Sequence, residues 1–378
     1  MARWIWKRLH KVFLWRFLNK ISCMAIFNKL DWILNFGIIF LLGTGLLSLA
    51  SAAPDLFWRQ LLWAALAGGM IILFAKVDWR PLVNYRWFIY GIYGFSILLL
   101  ILTYLIAPPI RGVRAWIPIG PLNFQTSEVA KFALIILYSS FFAKGHIGIA
   151  YLKKNFLPLI YFLIPALLVV FQPDMGTAII LFCLWFGYLL VSGLPWRRIF
   201  LAAVIFIVAA GLMWLYVLKD YQKERVFGLF NPSHDPLGVN YSVIQSKIAI
   251  GSAGFWGKGF GQGTQVQLGF LPEAQTDFIF AAAIEEFGAA IGLAIAGAFL
   301  LVLYELIKIG MGANNNFSKF FCLGTAIVFL AHFVLNVGSN LGLLPVIGTP
   351  FPFLSYGGSN LLVNAILVGM AQSIIIHR

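Results

Sequence analysis

Apolar runs of about 20 residues recur along the chain, and a run of that length is what a helix needs to cross a lipid bilayer. Ten candidate runs can be read from the sequence, separated mostly by short polar segments. The sequence therefore predicts an all-α membrane protein, a bundle of ten transmembrane helices over residues 32–52, 57–75, 86–107, 127–143, 155–171, 175–193, 198–218, 277–304, 319–341 and 355–376.

The composition supports a membrane location. Hydrophobic residues make up 61% of the chain and charged residues only 11%, whereas soluble domains carry about 25% charged residues. A soluble chain of 378 residues would be expected to form two or three domains, but a helical membrane bundle of this length is normally one unit. No internal repeat of the kind that marks inverted-topology transporters is visible.

The positive charges follow the expected topology. The net charge is +14, which in a soluble protein would suggest a nucleic-acid partner. Here 18 of the 27 Lys and Arg residues fall on alternate, mostly short segments, as the positive-inside rule requires. We therefore expect no nucleic-acid partner, and we expect both termini on the cytoplasmic side.

The N-terminal 31 residues differ from the rest of the chain. They contain seven Lys and Arg residues but no apolar core followed by a small-residue cleavage site, so they are not read as a cleavable signal peptide. Lys7, Arg8 and Lys11 lie opposite an apolar helical face. Residues 1–31 are thus predicted to be a basic amphipathic segment on the inner leaflet, and residues 32–378 to be the membrane domain.

Two segments predicted on the outer side are unusual. Residues 108–128 mix Pro, Gly, Trp and two arginines, which is too apolar for a free loop and too broken for a helix, so we expect them to pack against the bundle. Residues 219–276 lie between the seventh and eighth spans. A structureless loop of that length is uncommon in a compact domain, so we expect a large structured loop that covers the outer face.

Glu128 and Lys131 are charged residues at the start of the fourth run. An ionisable side chain inside a membrane costs about 2.5–3.5 kcal/mol on insertion scales and is usually functional. At positions i and i+3 the two side chains share a helical face and can neutralise each other. Two roles stay open: an ion pair that permits insertion, or a cation that faces an outward-open cavity and meets a phosphate.

Two further polar motifs have structural and functional interpretations. In FQPDMGTA (171–178), Pro173 and Asp174 are expected to form a tight turn in which Asp174 caps the sixth helix. The glycines of GSAGFWGKGFGQGTQ (251–265) suggest a phosphate loop, but the G-K-[ST] order is absent. Backbone N–H groups in this segment could still cradle a phosphate, or the segment could be a flexible hinge.

Asp277, in LPEAQTDFIF (271–280), lies where the chain re-enters the membrane. One interpretation is structural: Thr276 is the N-cap of the eighth helix, and Asp277 is its first helical residue, stabilised by the helix dipole. The other is chemical. Phe278 and Phe280 partly desolvate the carboxylate, which then accepts a proton more readily and suits a general base.

The depth of Asp277 can be counted along the eighth run. If the helix is continuous from Glu305, the apolar core ends near Glu285 and Glu286, and Asp277 lies about 12 Å further out, at headgroup depth. Glu285 would lie about 80° around the helix from Asp277, and Glu286 about 180°. Neither glutamate easily forms the close carboxylate pair of a glycosidase, so one base with cationic stabilisers is the chemistry that the site could offer.

Four long motifs, in order along the chain, resemble those of the SEDS (shape, elongation, division, sporulation) family. They are GPLNFQTSEVAK, QPDMGTA, the outer loop and eighth span that contain TDFIF, and GTPFPFLSYGGSN. The resemblance runs from about residue 32 to the C-terminus, which is a highly specific signal. The stretch GQGTQVQLGFLPEA is closer to the rod-shape branch of the family than to its division branch.

The resemblance implies an activity and a set of site residues. The family polymerises lipid II into peptidoglycan glycan strands at the outer, periplasmic face of the bacterial inner membrane. Its essential aspartate corresponds to Asp277, which is expected to be catalytic. The residues expected to bind substrate are Arg59, Arg111, Arg114, Glu128, Lys131, Gln245 and Glu285.

The resemblance also implies partners. A class B penicillin-binding protein, which is a transpeptidase, and other membrane proteins of the elongation complex are expected to assemble with the chain, besides lipid II and the nascent glycan strand. No metal-ligand motif is present, although a divalent cation such as Mg²⁺ or Mn²⁺ would suit a pyrophosphate substrate.

Some residues depart from the family pattern, and more than one function stays open. Thr126, Ser242 and Ala253 replace the usual Pro, Gln and Gly, which affects loop geometry but removes no ionisable group. A lipid II flippase would need the cavity and the cations but no proton acceptor. The chain could also be a septal polymerase of the same family, or a scaffold that holds the transpeptidase.

Overall fold

The computed structural model describes residues 29–378 except 111, 121, 146–151, 194, 217, 232–234 and 239. The predicted amphipathic segment over residues 1–31 lies almost entirely outside the described residues. The described elements, in chain order, are α1 (Trp32–Ala52), α2 (Pro54–Lys76), α3 (Arg80–Val83), α4 (Arg86–Ile106), β1 (Trp116–Ile119), β2 (Leu122–Gln125), α5 (Thr126–Gly145), α6 (Leu152–Phe171), α7 (Met175–Val191), α8 (Trp196–Tyr216), α9 (Asp220–Phe230), α10 (Tyr241–Ser252), α11 (Thr264–Gln267), α12 (Ile279–Met311), α13 (Asn316–Asn340) and α14 (Gly358–Ile376).

The predicted membrane helices correspond to helices in the structure. Within the described part of the chain, seven helices are long and apolar enough to cross a membrane: α1, α2, α4, α5, α12, α13 and α14. The apolar helices Leu157–Phe171 and Met175–Val191 are shorter, and α8 coincides with the predicted seventh span. The all-α membrane class is confirmed, whereas the count of ten spans stays a prediction.

Large apolar side chains cover the outside of the bundle. Trp58 of α2 is 67% exposed and Trp87 of α4 is 72% exposed. A water-soluble monomer rarely exposes contiguous apolar patches larger than a few hundred Å², so this surface is suited to contact with lipid. The interior is formed where α12 packs on α1 and α13, α13 on α5 and α7, and α14 on α2.

The segment between α4 and α5 contains a β-hairpin. Strands β1 and β2 pair antiparallel, with Trp116 opposite Gln125 and Ile119 opposite Leu122. The Gln125 N–H donates to Ser359 Oγ, and Ser359 Oγ donates to the Asn123 carbonyl, which ties the hairpin to the start of α14. Packing of this segment against the bundle was expected, but its two strands were not.

The described residues of the segment 219–276 form three helices, α9, α10 and α11. Helix α10 packs against α12 and α13, and its Ser246 hydroxyl donates to the Asn340 carbonyl, 2.8 Å away. This segment lies at the end of the bundle that carries Asp277, which is called the Asp277 end below.

Helix α12 is broken at Gly288, whose φ of 86° and ψ of 175° are not helical. A break of this kind removes partners from the backbone groups on both sides, and a buried unpaired backbone group is costly. The glycine-rich loop over residues 254–259 supplies four replacements at 2.9–3.2 Å: Lys258 N to Glu285 O, Gly259 N to Glu286 O, Ala289 N to Gly254 O and Ala290 N to Phe255 O.

This arrangement contradicts the free-hinge interpretation of the glycine-rich segment and restricts the phosphate-loop interpretation. The N–H groups of Lys258 and Gly259 already donate to α12, so those two cannot cradle a phosphate at the same time. The segment is also not a free hinge, because its backbone packs closely on that of α12. A Cβ on Gly257 would overlap the α12 backbone, and a Cβ on Gly288 would overlap the loop backbone. Glycine is needed at both positions because two backbones approach closely.

The break makes Gly288→Ala a direct test of the contact. A φ and ψ near 86° and 175° are essentially restricted to glycine, and the added methyl would overlap the Phe255 carbonyl. We expect Gly288→Ala to lower the free energy of unfolding by about 3 kcal/mol or more, measured by denaturation in detergent micelles.

Gly297→Ala is the matched control in the same helix. A Cβ at Gly297 meets nothing within 4 Å, so its effect should stay within about 1 kcal/mol. Equal stabilities for the two variants would show that the loop does not pack on the break.

Candidate active site

Asp277 lies in a turn, two residues before α12 begins at Ile279. The prediction that Thr276 caps the helix and that Asp277 is its first residue is wrong. The N-cap is Phe278, while the Thr276 hydroxyl donates backwards to Glu273 Oε2, 3.0 Å away. The chain turns here because Glu273 has a positive φ of 55°, which delays the start of the helix.

Four groups on two other elements donate hydrogen bonds to the backbone of this turn. From α13, Asn336 and Asn340 both donate to the Asp277 carbonyl, at 3.0 and 2.8 Å. From the segment before α14, the Ser355 hydroxyl donates to the Thr276 carbonyl at 2.6 Å and the Tyr356 N–H donates to the Gln275 carbonyl at 3.0 Å. The backbone that carries the carboxylate is therefore held although it is not helical.

The Asp277 carboxylate is half-buried and faces Gly348. Gly348 has a φ of 71°, and a Cβ built there would lie 3.6 Å from Asp277 Oδ2. The depth count made for Asp277 does not apply, because it assumes one continuous helix, and the helix is broken at Gly288. For the same reason the angles of 80° and 180° to Glu285 and Glu286 do not describe the site.

Two of the predicted cationic residues lie exposed at the Asp277 end. Arg59 is in the first turns of α2, next to Gln60, whose amide nitrogen lies 3.4 Å from the Ser355 carbonyl. Arg114 precedes β1, and its N–H donates to the Gln172 carbonyl. Arg111 lies outside the described residues. The binding of substrate by these arginines stays a prediction.

Glu128 and Lys131 form an ion pair at 2.8 Å in which both side chains are only 2% exposed. Lys131 Nζ also lies 2.9 Å from His332 Nε2, and Asn360 Nδ2 donates to Glu128 Oε1 at 3.1 Å. Because Lys131 donates to His332, the other ring nitrogen, Nδ1, is the one that donates to the Pro350 carbonyl, 3.0 Å away.

Of the two roles left open for this pair, the geometry favours the ion pair. Lys131 is only 2% exposed and contacts Glu128 of α5 and His332 of α13. Direct binding of substrate by Glu128 and Lys131 stays a prediction, but the pair already has a structural role that joins three helices.

Asp174 caps α7, as predicted. Its carboxylate accepts hydrogen bonds from Thr177 N at 3.0 Å and from Thr177 Oγ1 at 2.7 Å. Burial raises the pKa of the Asp174 carboxyl, and the hydrogen bonds from Thr177 and the charge of Lys131 act against that rise.

Glu285 is fully buried beneath the glycine-rich loop. Its carboxylate pairs with Lys258 Nζ at 2.7 Å and accepts from the backbone N–H groups of Gln265 and Val266 at 2.9 and 3.1 Å. These contacts anchor the loop, so contact with substrate would require the loop to move away. Gln245 lies half-buried on α10. Both residues stay predicted as substrate-binding residues.

The described residues provide no metal site of their own. Among them, no group of three or more His, Cys, Asp or Glu side chains could hold a metal ion. A role for a divalent cation therefore stays a prediction.

Sequence reasoning missed the polar residues of α13. His332, Asn336 and Asn340 recur every four residues in a largely apolar helix, which is the pattern of polar contacts between membrane helices. That spacing was visible in the sequence. Their targets were not visible, because these are backbone carbonyls of segments distant in the chain.

Comparison with known proteins identifies the family. The model for FtsW, RodA and SpoVE, described as "Cell cycle protein", matches residues 24–378. The chain belongs to the FtsW/RodA/SpoVE family. The resemblance to SEDS proteins drawn from the four motifs is thereby confirmed.

Two curated relatives of this family member have similar lengths. The "Peptidoglycan glycosyltransferase MrdB" of Escherichia coli K12 is 37% identical over 313 residues, which cover 83% of this chain and 84% of that protein. The "Probable peptidoglycan glycosyltransferase FtsW" of Trichlorobacter lovleyi is 34% identical over 322 residues, which cover 84% and 82%.

Two solved structures have the same fold. A chain from "Structural coordination of polymerization and crosslinking by a peptidoglycan synthase complex" matches with a TM-score of 0.77 and 32% identity, covering 92% of this chain and 97% of that chain. The crystal structure of the rod shape determining protein RodA of Thermus thermophilus matches with a TM-score of 0.67 and 29% identity, with the same coverage. This family member is therefore a multi-pass membrane protein.

The Glu128–Lys131 pair can be tested by removing one charge. Glu128→Gln leaves the ammonium group of Lys131 buried without its carboxylate partner, and breaking a buried pair from one side typically costs about 3–5 kcal/mol. We expect a loss of that size in the free energy of unfolding, measured in detergent micelles.

The control removes an exposed pair. Arg80 and Asp78 are 47% and 36% exposed, and such pairs contribute about 0–1 kcal/mol, so Arg80→Met should change stability by no more than that. If Glu128→Gln is as stable as Arg80→Met, the buried pair does not support the bundle.

Proposed function

We propose that this chain is a peptidoglycan glycosyltransferase that polymerises lipid II at the Asp277 end of the bundle, in cell elongation and rod shape. The carrying observation is the half-buried Asp277 carboxylate on a backbone held from two sides. The relatives of this chain in Escherichia coli and Trichlorobacter lovleyi are named as a peptidoglycan glycosyltransferase and a probable one. The higher identity to MrdB and the fold of the rod shape determining protein RodA support the elongation role over the septal one.

Asp277 acts as the general base. Its carboxylate takes the proton from the 4-hydroxyl of the acceptor GlcNAc, and that oxygen attacks C1 of the donor MurNAc. The new C–O bond forms as the bond between C1 and the pyrophosphate breaks, and undecaprenyl pyrophosphate leaves with the electron pair. A positioned base typically contributes about 10²–10⁴-fold to such a reaction.

The leaving pyrophosphate needs positive charge. Arg59 and Arg114 are exposed at the same end of the bundle as Asp277, and Arg111 is close to Arg114 in sequence. Fixed cations that face developing negative charge stabilise the transition state, and guanidinium groups bind phosphate oxygens in pairs. The charge of Lys131 is buried and paired with Glu128, so its contribution is to hold the bundle together and not to bind the pyrophosphate directly.

The sidedness of the protein follows from its charges. The bundle end opposite Asp277 carries the loops in which Lys and Arg are concentrated, and positive loops face the cytoplasm. Both termini are then cytoplasmic, and Asp277 faces the periplasmic side of the bacterial inner membrane. Lipid II reaches the site by diffusing within the membrane, so its tails need not leave the bilayer.

The partner in this proposal is a class B penicillin-binding protein. The similar structure of a synthase complex, described as coordinating polymerization with crosslinking, supports a transpeptidase partner. Its single transmembrane helix would pack on the apolar outer surface of the bundle, together with other membrane proteins of the elongation complex.

The assignment of the base is tested with Asp277→Asn. The amide keeps the size of the side chain but accepts no proton, so polymerisation of lipid II by purified protein should fall by about 100-fold or more. The rate is measured from glycan product, with and without the partner transpeptidase.

Asp220→Asn is the control, because Asp220 is an exposed carboxylate of the large loop that precedes Asp277. Its rate should stay within about twofold of wild type, as for most surface substitutions. Polymer formed by Asp277→Asn at the wild-type rate would refute the base assignment. Translocation of lipid II in proteoliposomes with no polymer would instead favour a flippase.

A further inference from the structure

Three polar side chains form a row along α13. His332, Asn336 and Asn340 are spaced four residues apart, so they lie on one face of the helix, and they are 1%, 0% and 0% exposed. A buried polar group is tolerated when it is hydrogen-bonded. This row is called the α13 ladder below. The partners of its hydrogen bonds identify which segments it holds in place.

The two asparagines of the ladder converge on the backbone of Asp277. Both amide groups donate to the Asp277 carbonyl, and Asn340 Oδ1 accepts from the Ala281 N–H at 3.1 Å. Asn340 therefore bridges the turn and the first turn of α12. Two buried carboxamides on one carbonyl oxygen fix the position from which the Asp277 side chain projects.

The ladder holds the facing segment at the same time. Asn336 Nδ2 donates to the Thr349 carbonyl at 2.8 Å, and His332 Nδ1 donates to the Pro350 carbonyl at 3.0 Å. These carbonyls directly follow Gly348, which faces the Asp277 carboxylate. One helix thus sets the position of both sides of the site.

Lys131 is connected to the ladder. Its ammonium group lies 2.9 Å from His332 Nε2 and is paired with Glu128. A chain of contacts therefore runs from the Glu128–Lys131 pair through His332 to the Gly348 segment. These contacts join a lysine that is only 2% exposed to the segment that faces Asp277.

We propose that His332, Asn336 and Asn340 are positioning residues, which hold the Asp277 backbone and the segment 348–350 in the geometry that proton transfer requires. The proposal rests on the function proposed above, because it assigns a role to the setting of the same aspartate. Displacement of a reacting group by about 1 Å can cost about 100-fold in rate, and the turn at Asp277 lacks the regular hydrogen bonds of a helix.

Asn340→Asp is the most direct variant. It is nearly isosteric and keeps an acceptor for the Ala281 N–H, but it removes the donor to the Asp277 carbonyl. We expect kcat for lipid II polymerisation to fall by about 10–100-fold with KM within about twofold, because only the reacting geometry changes. Asn340→Ser, which adds no charge, is the second variant and should show the same split between kcat and KM.

The matched control is Gln372→Glu in α14. Gln372 is 0% exposed, and its amide likewise donates to the carbonyl of an aspartate, Asp31, at 3.2 Å. Asp31 precedes α1. It lies at the end of that helix that is about 30 Å from the Asp277 end of the bundle. Gln372→Glu should lower the melting temperature to a similar extent as Asn340→Asp while leaving kcat within about twofold of wild type.

Amide hydrogen exchange supplies a readout that does not need polymerisation. The peptide over residues 275–281 should exchange about tenfold faster in Asn340→Asp and at the wild-type rate in Gln372→Glu. Unchanged exchange in this peptide would overturn the ladder, whatever the polymerisation assay gives. Two results for Asn340→Asp would overturn the positioning role of the ladder. One is faster exchange with an unchanged kcat, and the other is a fall in kcat no larger than that of Gln372→Glu. An inactive wild-type protein would contradict the proposed function and leave the exchange result as the test of the ladder.

Discussion

The break in α12 at Gly288 is the constraint on which the site depends. A helix that crosses a membrane normally pairs every backbone group within itself, and the break gives up that pairing at four groups. The glycine-rich loop 254–259 supplies the missing partners. Glu285 anchors this loop through Lys258 Nζ and holds α11 through the Gln265 and Val266 N–H groups. The large loop, the buried first turns of α12 and the turn at Asp277 therefore form one connected unit.

The buried carboxylates of this unit and of the bundle form ion pairs with lysines of the same chain. Glu128 pairs with Lys131, and Glu285 pairs with Lys258, so the charges of these groups are already partnered within the protein. Of the cationic residues proposed to meet the pyrophosphate, Arg59 and Arg114 are exposed. Asp277, which we propose as the base, combines partial burial with a backbone that is held from two sides.

Local signals predicted most of the fold, whereas long-range contacts limited what could be said about the site. Hydropathy located α1, α4 and α14 within a few residues of their observed bounds, because membrane length and apolarity are properties of a single segment. The break at Gly288 could not be predicted, since the chain has 36 glycines and only contact with a distant loop distinguishes this one. Asp277 was identified through a family motif, but its supports on α13 depend on tertiary contacts.

The most direct test of the account is the protonation state of Asp277 itself. Isotope-edited infrared spectroscopy of protein labelled at aspartate, with Asp277→Asn as the reference that identifies the band, can follow this carboxyl across a pH series in membranes. The account predicts that Asp277 loses its proton over the same pH range in which the rate of lipid II polymerisation rises. A rate that rises while Asp277 stays in one protonation state would contradict its role as the base.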